Sequence, residues 1–516
     1  MRRTDPWTGV AFVIFAFLFR LMSAWITVSV LPAFERDFGV AAPSAELTLT
    51  LFLGLAGALI APSGILADKY GRVRLFTYGT IGMIVGNLMS ALAPNFGVLL
   101  VSRIIEAVSF PAMGAASLAL VAKAFTDPKP RSRAFGLYGA TYGAALALAS
   151  AVGGFFAADL SWRWSFAMMI PVLLIALFGV RWTLRGSDDP HPTRRFDWFG
   201  TTLLALFVLT LFIGMEQVPV LGFEGWPAGL VLLSGVSLLL LIGWEYYLSR
   251  NDKQPIFDRL LLASPGFLVA CIVSFLMMFG AFATFTVLPV YWSLVGQGSV
   301  VVVGVALVPM GVGWMIGSPL AVPVGARIGA RRTVVLGLII GAIGMAGLGV
   351  VVSQSGSAIP TIGPLALLGF GIGLAYTRVN EAGLREVADR FTGLGSGMLI
   401  GFRLFAAGLG GLLLAQALTL VATHDAEDKL TQDQTLSAAE RTHVEHAIEA
   451  AGRGRYTLLL DVEDAPALRS AALEVTDSYT TSVRFTMAAG CIILLAGAFV
   501  ATRLPRSGGR RHRETS

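Results

Sequence analysis

Charge is what this sequence has least of. Asp, Glu, Lys and Arg make up 14% of its 516 residues, against about 25% in a water-soluble chain, which excludes an ordinary soluble domain. Cysteine is nearly absent: Cys271 and Cys491 both fall inside apolar runs, so no disulfide framework is implied and both read as small core residues. None of the five histidines, His191, His424, His443, His446 and His512, lies in an apolar run, which leaves a buried metal site without ligands. A loop of the G-x-x-x-x-G-K-[ST] type is missing, which excludes direct use of ATP. Nor do His, Asp and Cys gather at one membrane face, as a membrane-embedded enzyme would need. Neither enzymatic activity nor a cofactor is expected.

What is there is apolar. Hydrophobic residues make up 55% of the chain, and Gly occurs 59 times; Gly suits membrane helices because it lets backbones approach closely. Apolar runs of about 20 residues, enough to cross a bilayer core of roughly 30 Å, cover 8–31, 45–63, 75–93, 97–122, 134–157, 164–182, 199–217, 227–247, 266–291, 299–322, 333–353, 361–380, 393–421 and 482–502. The first follows Arg2 and Arg3 but is too long for the apolar region of a signal peptide, and reads as the first span.

Fourteen spans put both termini on one side, and charge says which. Loops after even-numbered spans hold Lys69, Arg72 and Arg74; Lys123, Lys129, Arg131 and Arg133; Arg185, Arg194 and Arg195; Arg250, Lys253 and Arg259; and Arg327, Arg331 and Arg332. The short loops after odd-numbered spans carry little beyond Arg36 and Arg163. This asymmetry predicts a multi-pass protein of the plasma (inner) membrane with both termini cytoplasmic. The net charge of +6 then belongs to membrane topology, and no nucleic-acid partner is expected. Residues 424–480 form one long charged loop on the far side, with Ser437 to Gly452 periodic enough for a helix. A solvated cap over the outer vestibule is the expected role, with partner docking or substrate gathering the alternative.

An internal echo is visible. Gly64-Ile-Leu-Ala-Asp68-Lys69-Tyr-Gly71-Arg72-Val-Arg74 follows the second span, and Gly325-Ala-Arg327-Ile-Gly329-Ala-Arg331-Arg332 follows the tenth. Aligning Gly71 with Gly329 matches Lys69 to Arg327 and Arg74 to Arg332, as two halves of related design would give.

The run from Gly64 to Arg74 resembles the loop signature of the major facilitator superfamily, G-x-L-A-D-x-x-G-R-x-x, in its place between spans 2 and 3. Gly64 and Gly71 permit a tight turn at close helix contact. Asp68 can accept hydrogen bonds at a helix N-terminus, and Arg72 can pair across a domain interface. In the family this set latches two halves in one state. A second match is Arg103, within Leu99-Leu-Val-Ser-Arg103-Ile-Ile-Glu106-Ala107, where Glu106 and Ala107 replace the family's Gln-Gly. Ser161-Trp162-Arg163-Trp164-Ser165-Phe166 with Pro171, Asp197-Trp198-Phe199-Gly200, and Phe402-Arg403 with Gly408, Gly410 and Gly411 are similar to the fourteen-helix drug:proton antiporter branch. Three features differ from that branch. Met22-Ser23-Ala24-Trp25 stands where the branch has an acid in span 1, span 5 keeps only the final pair Gly153-Gly154 of the usual Gly-Pro pattern, and Arg20 sits in mid-span 1.

The resemblance implies an all-α membrane protein: a six-helix half over 1–183, two inserted helices and linkers over 184–262, and a second six-helix half over 263–516. Intramembrane ionisable residues are then functional candidates by default. Arg103 and Glu106 share a helix face at i,i+3. Arg20 lies at a matching depth, roughly 15 Å below its helix end against roughly 12 Å for Glu106, and a cluster of two arginines and one glutamate is expected. Glu106 in such a cluster carries a proton only if a conformational change pulls the arginines away; otherwise the set is a fixed polar lock. Arg378 and Glu381 are a candidate cytoplasmic gate or, with Asn380, lie at the headgroup level, and Arg403 is placed to face a cavity or to snorkel from a helix end. Glu216, at a helix end, reads as interfacial. Trp25, Trp292, Trp314 and Tyr376 fall in spans that line the family's cavity, as an aromatic wall or as packing.

The expected function is secondary transport: efflux of lipophilic or amphiphilic small molecules, driven by proton exchange, through a site with Arg20, Trp25, Arg103, Glu106, Tyr376 and Arg403. Transport of an anionic metabolite or lipid without proton antiport is the alternative, and a non-transporting receptor the remote one. The expected partners are the lipid bilayer, a small-molecule substrate and protons, with the protein a monomer.

Overall fold

The computed structural model describes residues 6–505, apart from 126, 184–195, 252, 254, 258, 295–304, 354–355, 385–386, 388–391 and 433–465. A run of apolar residues in lipid must satisfy its own backbone polar groups, which a helix does within one segment. The described residues accordingly hold helices and no strand. In chain order these are α1 (Pro6–Phe38), α2 (Ala42–Tyr70), α3 (Arg72–Ala91), α4 (Phe96–Ala124), α5 (Pro128–Asp159), α6 (Trp162–Ala167), α7 (Met169–Thr183), α8 (Trp198–Leu221) and α9 (Gly225–Arg250). The short α10 (Arg259–Leu262) leads into α11 (Pro265–Leu294), α12 (Val308–Ile328), α13 (Ala330–Val351), α14 (Ile362–Leu384), α15 (Thr392–Gln432) and α16 (Pro466–Ala501).

Thirteen described segments are long and apolar enough to cross a membrane. The 20-residue α3 has the length without the hydropathy, and it carries Asn87 and Ser90 into the protein interior. The sixth expected span is two helices in line, broken at Met168, with Pro171 inside the second. The expected loop 424–480 is shorter than the charge pattern suggests. α15 runs on through His424 and Asp428 to Gln432, and α16 starts at Pro466, because residues outside the bilayer still satisfy their backbone best by continuing a helix. Ser437 to Gly452 lies outside the described residues.

Packing follows a twofold plan. In the first group α1 packs on α5, α2 on α4 and α3 on α4; in the second α11 packs on α15, α12 on α14 and α13 on α14. The groups meet along two seams, α2 against α15 and α5 against α12, so the second helix of each group crosses the fifth of the other. Glycine makes both seams close. A Cβ on Gly57 would lie 2.6 Å from Phe405 N, and one on Gly143 2.3 Å from Met315 N. The echo between Gly71 and Gly329 is real in the backbone: φ is 102° and 87° respectively, a region that favours Gly. Each closes a helix by donating its N–H to the carbonyl four residues back, Ala67 at 3.1 Å and Gly325 at 2.9 Å.

α8 and α9 form a hairpin. Asp197 Oδ1 accepts from Gly200 N at 2.9 Å as the N-cap of α8 and from Trp244 Nε1 of α9 at 3.1 Å. α9 presents Leu232, Leu239, Leu240 and Ile242 outward, as a lipid-facing helix does. α8 turns inward and packs on both α2 and α15, with the buried Phe212 ring against Gly54 and Gly408.

Candidate functional site

A cavity lies where the two groups meet. Its wall includes Arg20, Ala24 and Trp25 from α1, Leu53 from α2, Phe110 from α4 and Tyr142 from α5. The second group supplies Met278 from α11, Trp314 from α12, Tyr376 from α14, and Ile400, Arg403 and Ala407 from α15. Four residues expected in the site from sequence, Arg20, Trp25, Tyr376 and Arg403, thus share one wall. Trp314, whose role was open between cavity wall and packing, shares it too. Tyr142, Phe110 and Met278 were not foreseen; nothing in their types marks them before the helices are oriented.

The wall is aromatic. Tyr142 stacks on Trp314 at 6.2 Å and meets Tyr376 at 4.9 Å, with Trp314 and Tyr376 at 5.5 Å. Trp25 packs on Phe285 and Phe282 of α11 at 4.9 and 5.8 Å, joining the two groups at the cavity wall. The arginines lie on these rings. Arg20 Cζ is 3.4 Å from the centroid of Phe110, and Arg403 Cζ is 4.2 Å from that of Tyr376. Such cation–π contacts are worth about 2 kcal/mol when desolvated. Arg20 Nε donates to the Phe110 carbonyl at 2.7 Å. Its guanidinium fits only because Gly114 has no side chain: a Cβ there would lie 2.4 Å from Arg20 Nη2. Arg403 Nη2 donates to Ser274 Oγ at 3.2 Å.

Arg103 and Glu106 lie elsewhere. They pair at 2.6 Å with both side chains 0% exposed. Ser23 Oγ (2.9 Å) and Ser90 Oγ (3.2 Å) donate to Glu106, and Arg103 Nε donates to the Thr48 carbonyl at 3.3 Å. The network ties α1, α2, α3 and α4 together. The expected three-residue cluster is not formed. The turn of α1 aims Ser23 at Glu106 and sends Arg20 to Phe110 on the cavity side. Arg378 and Glu381 pair within α14, and Arg378 also donates to the carbonyls of Ala321 (2.8 Å) and Val322 (2.6 Å) in α12. These contacts bind two helices of one group rather than bridging the groups. In the expected latch, Gly64 lies within α2, Gly71 forms the α2–α3 turn and Arg72 opens α3; the side chain of Asp68 lies outside the described residues.

Two carboxylates near helix ends are covered by neighbouring helices: Glu216 is only 2% exposed and Glu46 6%. The end of α8 folds onto the start of α2: Thr50 Oγ1 lies 3.4 Å from Glu216 Oε2, Gln217 Nε2 donates to Ser44 Oγ at 3.4 Å, and Gln416 of α15 donates to the Met215 carbonyl at 2.5 Å. No described basic residue forms an ion pair with either carboxylate. The i,i+4 spacing of Glu46 and Thr50 was the available signal for a shared face.

The family model of the Major Facilitator Superfamily matches residues 13–411. Among similar curated proteins, "Puromycin resistance protein pur8" of Streptomyces alboniger is 30% identical over 319 residues, 61% of this chain and 62% of that one. "Drug efflux pump JefA" of Mycobacterium tuberculosis is 26% identical over 494 residues, covering 92% of this chain and 94% of its own. "Multidrug resistance protein 3" of Bacillus subtilis is 23% identical over 368 residues, 71% of this chain and 70% of that one.

Proposed function

Because the chain belongs to the Major Facilitator Superfamily, whose members are transporters and not enzymes, we propose that it exports lipophilic or amphiphilic small molecules by secondary active transport. The observation that carries this reading is the aromatic cavity between two helix groups that touch along glycine-lined seams. A site shared by two bodies is what alternating access needs: rocking the bodies about the seams exposes the site to one side and then the other. The moving bodies are residues 1–183 and 263–516, with 184–262 as the inserted pair. Gly64, Asp68, Gly71 and Arg72 latch them on the face that carries the termini, which is the cytoplasmic face of the plasma membrane. Full-length likeness to a protein named as a drug efflux pump supports the outward direction.

Proton exchange is the proposed drive. Ionised carboxylates in the membrane interior are costly without a partner, and proton uptake is the available way to balance them. Glu106 has its partner in Arg103. Glu46 and Glu216 have no basic partner among the described residues and sit where α8 touches both helix groups, so rocking changes their surroundings. In proteoliposomes containing a pH-sensitive dye, the wild type moves protons when lipophilic cations, neutral amphiphiles or anions are supplied, and Glu216→Gln removes that movement. Transport that continues without proton movement, and survives in Glu216→Gln, would sink the exchange. Transport of none of the compounds would sink the export reading.

A further inference from the structure

We infer that the cavity selects amphiphiles whose polar end is an anion, a carboxylate or sulfonate carried on an aromatic body, and that Arg403, Trp25 and Trp314 receive that end. The inference rests on the export reading above and names its substrate class. Two formal positive charges, Arg20 and Arg403, lie on the wall, and among the described residues no carboxylate does. The buried acids Glu46, Glu106 and Glu216 all lie outside it.

The hydrogen-bond inventory points the same way. Among the wall residues, the buried side-chain nitrogens without a partner are Trp25 Nε1, Trp314 Nε1, Arg403 Nε and Arg403 Nη1. Every one is a donor. Arg403 is 2% exposed, and its one hydrogen bond goes to Ser274 through Nη2, leaving Nε and Nη1. Arg20 uses only Nε, on Phe110. Buried polar groups in native proteins are nearly always satisfied, and an unpaired guanidinium in the membrane interior is costly. Unused donors on Arg403, Trp25 and Trp314, on a wall that also holds the charge of Arg20, are therefore suited to a ligand that brings acceptor oxygens and negative charge. The Tyr142 and Trp314 rings, stacked on each other, and the Tyr376 ring tilted against them offer an aromatic surface for the ligand's aromatic body.

The test compares ligands that differ only in the charged group. 1-Anilinonaphthalene-8-sulfonate and N-phenyl-1-naphthylamine share one ring system, and only the first carries a sulfonate; ethidium is the cationic control. Binding is measured on purified full-length protein in phosphatidylcholine nanodiscs, against empty nanodiscs. The sulfonate is expected to bind at least tenfold more tightly than the amine. Arg403→Gln lowers sulfonate affinity tenfold to a hundredfold, the range of charge-assisted bonds, and changes amine affinity less than twofold. Arg403→Lys restores most of the preference, so a loss in the glutamine variant is not mere misfolding. Trp25→Phe, which keeps a ring and removes the indole N–H, costs the sulfonate several-fold. Adding phosphatidylglycerol to the nanodiscs separates the two sources of such an anion: competition assigns an anionic lipid, and its lack a soluble organic acid. Equal or tighter binding of the amine or ethidium, or an equal loss of both ligands in Arg403→Gln, overturns the inference. Because binding is read without transport, that result leaves the export reading standing.

Discussion

Breaking the Arg103–Glu106 pair from one side is expected to do more harm than removing it altogether. The pair is held at 2.6 Å with neither side chain exposed, and Arg103 Nη2 has no hydrogen-bond partner even in the intact network. Glu106→Gln keeps the shape of the side chain and one acceptor oxygen for Ser23 or Ser90, a bond worth about 1 kcal/mol, while its amide NH2 must donate where the other serine now donates. It leaves the guanidinium buried without a counter-charge, at a cost of about 3–5 kcal/mol. Arg103→Gln strands the carboxylate at a similar cost. The double variant buries no charge, so it is expected to lie within about 2 kcal/mol of the wild type, since neutral replacement of a buried pair is often close to neutral. A double-mutant cycle from SDS unfolding in mixed micelles, followed by tryptophan fluorescence, is expected to give a coupling energy of at least about 4 kcal/mol, the sum of the two single losses less that of the double variant. Additive losses, or a Glu106→Gln protein as stable as wild type, would refute the lock and return Glu106 to the candidates for proton carriage.

Gly143→Leu places its side chain in the backbone of Met315 and is expected to abolish transport in vesicles while the protein still reaches the membrane; wild-type transport would show that the α5–α12 seam stays apart in the working protein. Phe212→Ala, which empties the pocket between Gly54 and Gly408, is expected to cost about 3–5 kcal/mol in the same unfolding assay. Asp197→Ala removes the α8 cap and the Trp244 bond, with an expected loss of about 1–2 kcal/mol. Arg163→Gln, by contrast, breaks a pair with Asp37 that is 34% and 41% exposed, and is expected to cost less than about 1 kcal/mol, a loss that shrinks further in high salt.

Helix number and the Gly71–Gly329 echo were legible because each depends on local chemistry: apolar length, and a backbone angle that glycine suits. Arg20, Trp25, Tyr376 and Arg403 were legible as candidates because charge or an aromatic ring at mid-span has few bland explanations. The partner of Arg20 was not. Depth along a helix can be counted from sequence, but rotation about its axis is set by packing, and a small turn exchanges Ser23 for Arg20 opposite Glu106. The burial of Glu216 was hidden for a related reason. Nearness to a helix end does not tell whether another helix covers that end, and here α2 does. The donors left over on Trp25, Trp314 and Arg403 were beyond sequence altogether, since an unmet bond is visible only once every neighbour is placed.

The α8–α9 hairpin breaks the symmetry that the rest of the fold keeps. It rides on the α2–α15 seam as an outrigger, and among the described residues it makes no comparable contact with α5 or α12. In the proposed rocking cycle, motion along the first seam rubs protein on protein, while the second seam is left to the lipid chains. Bilayer thickness and stiffness would then bear on one side of that motion more than on the other, which makes the host membrane a component of the proposed cycle.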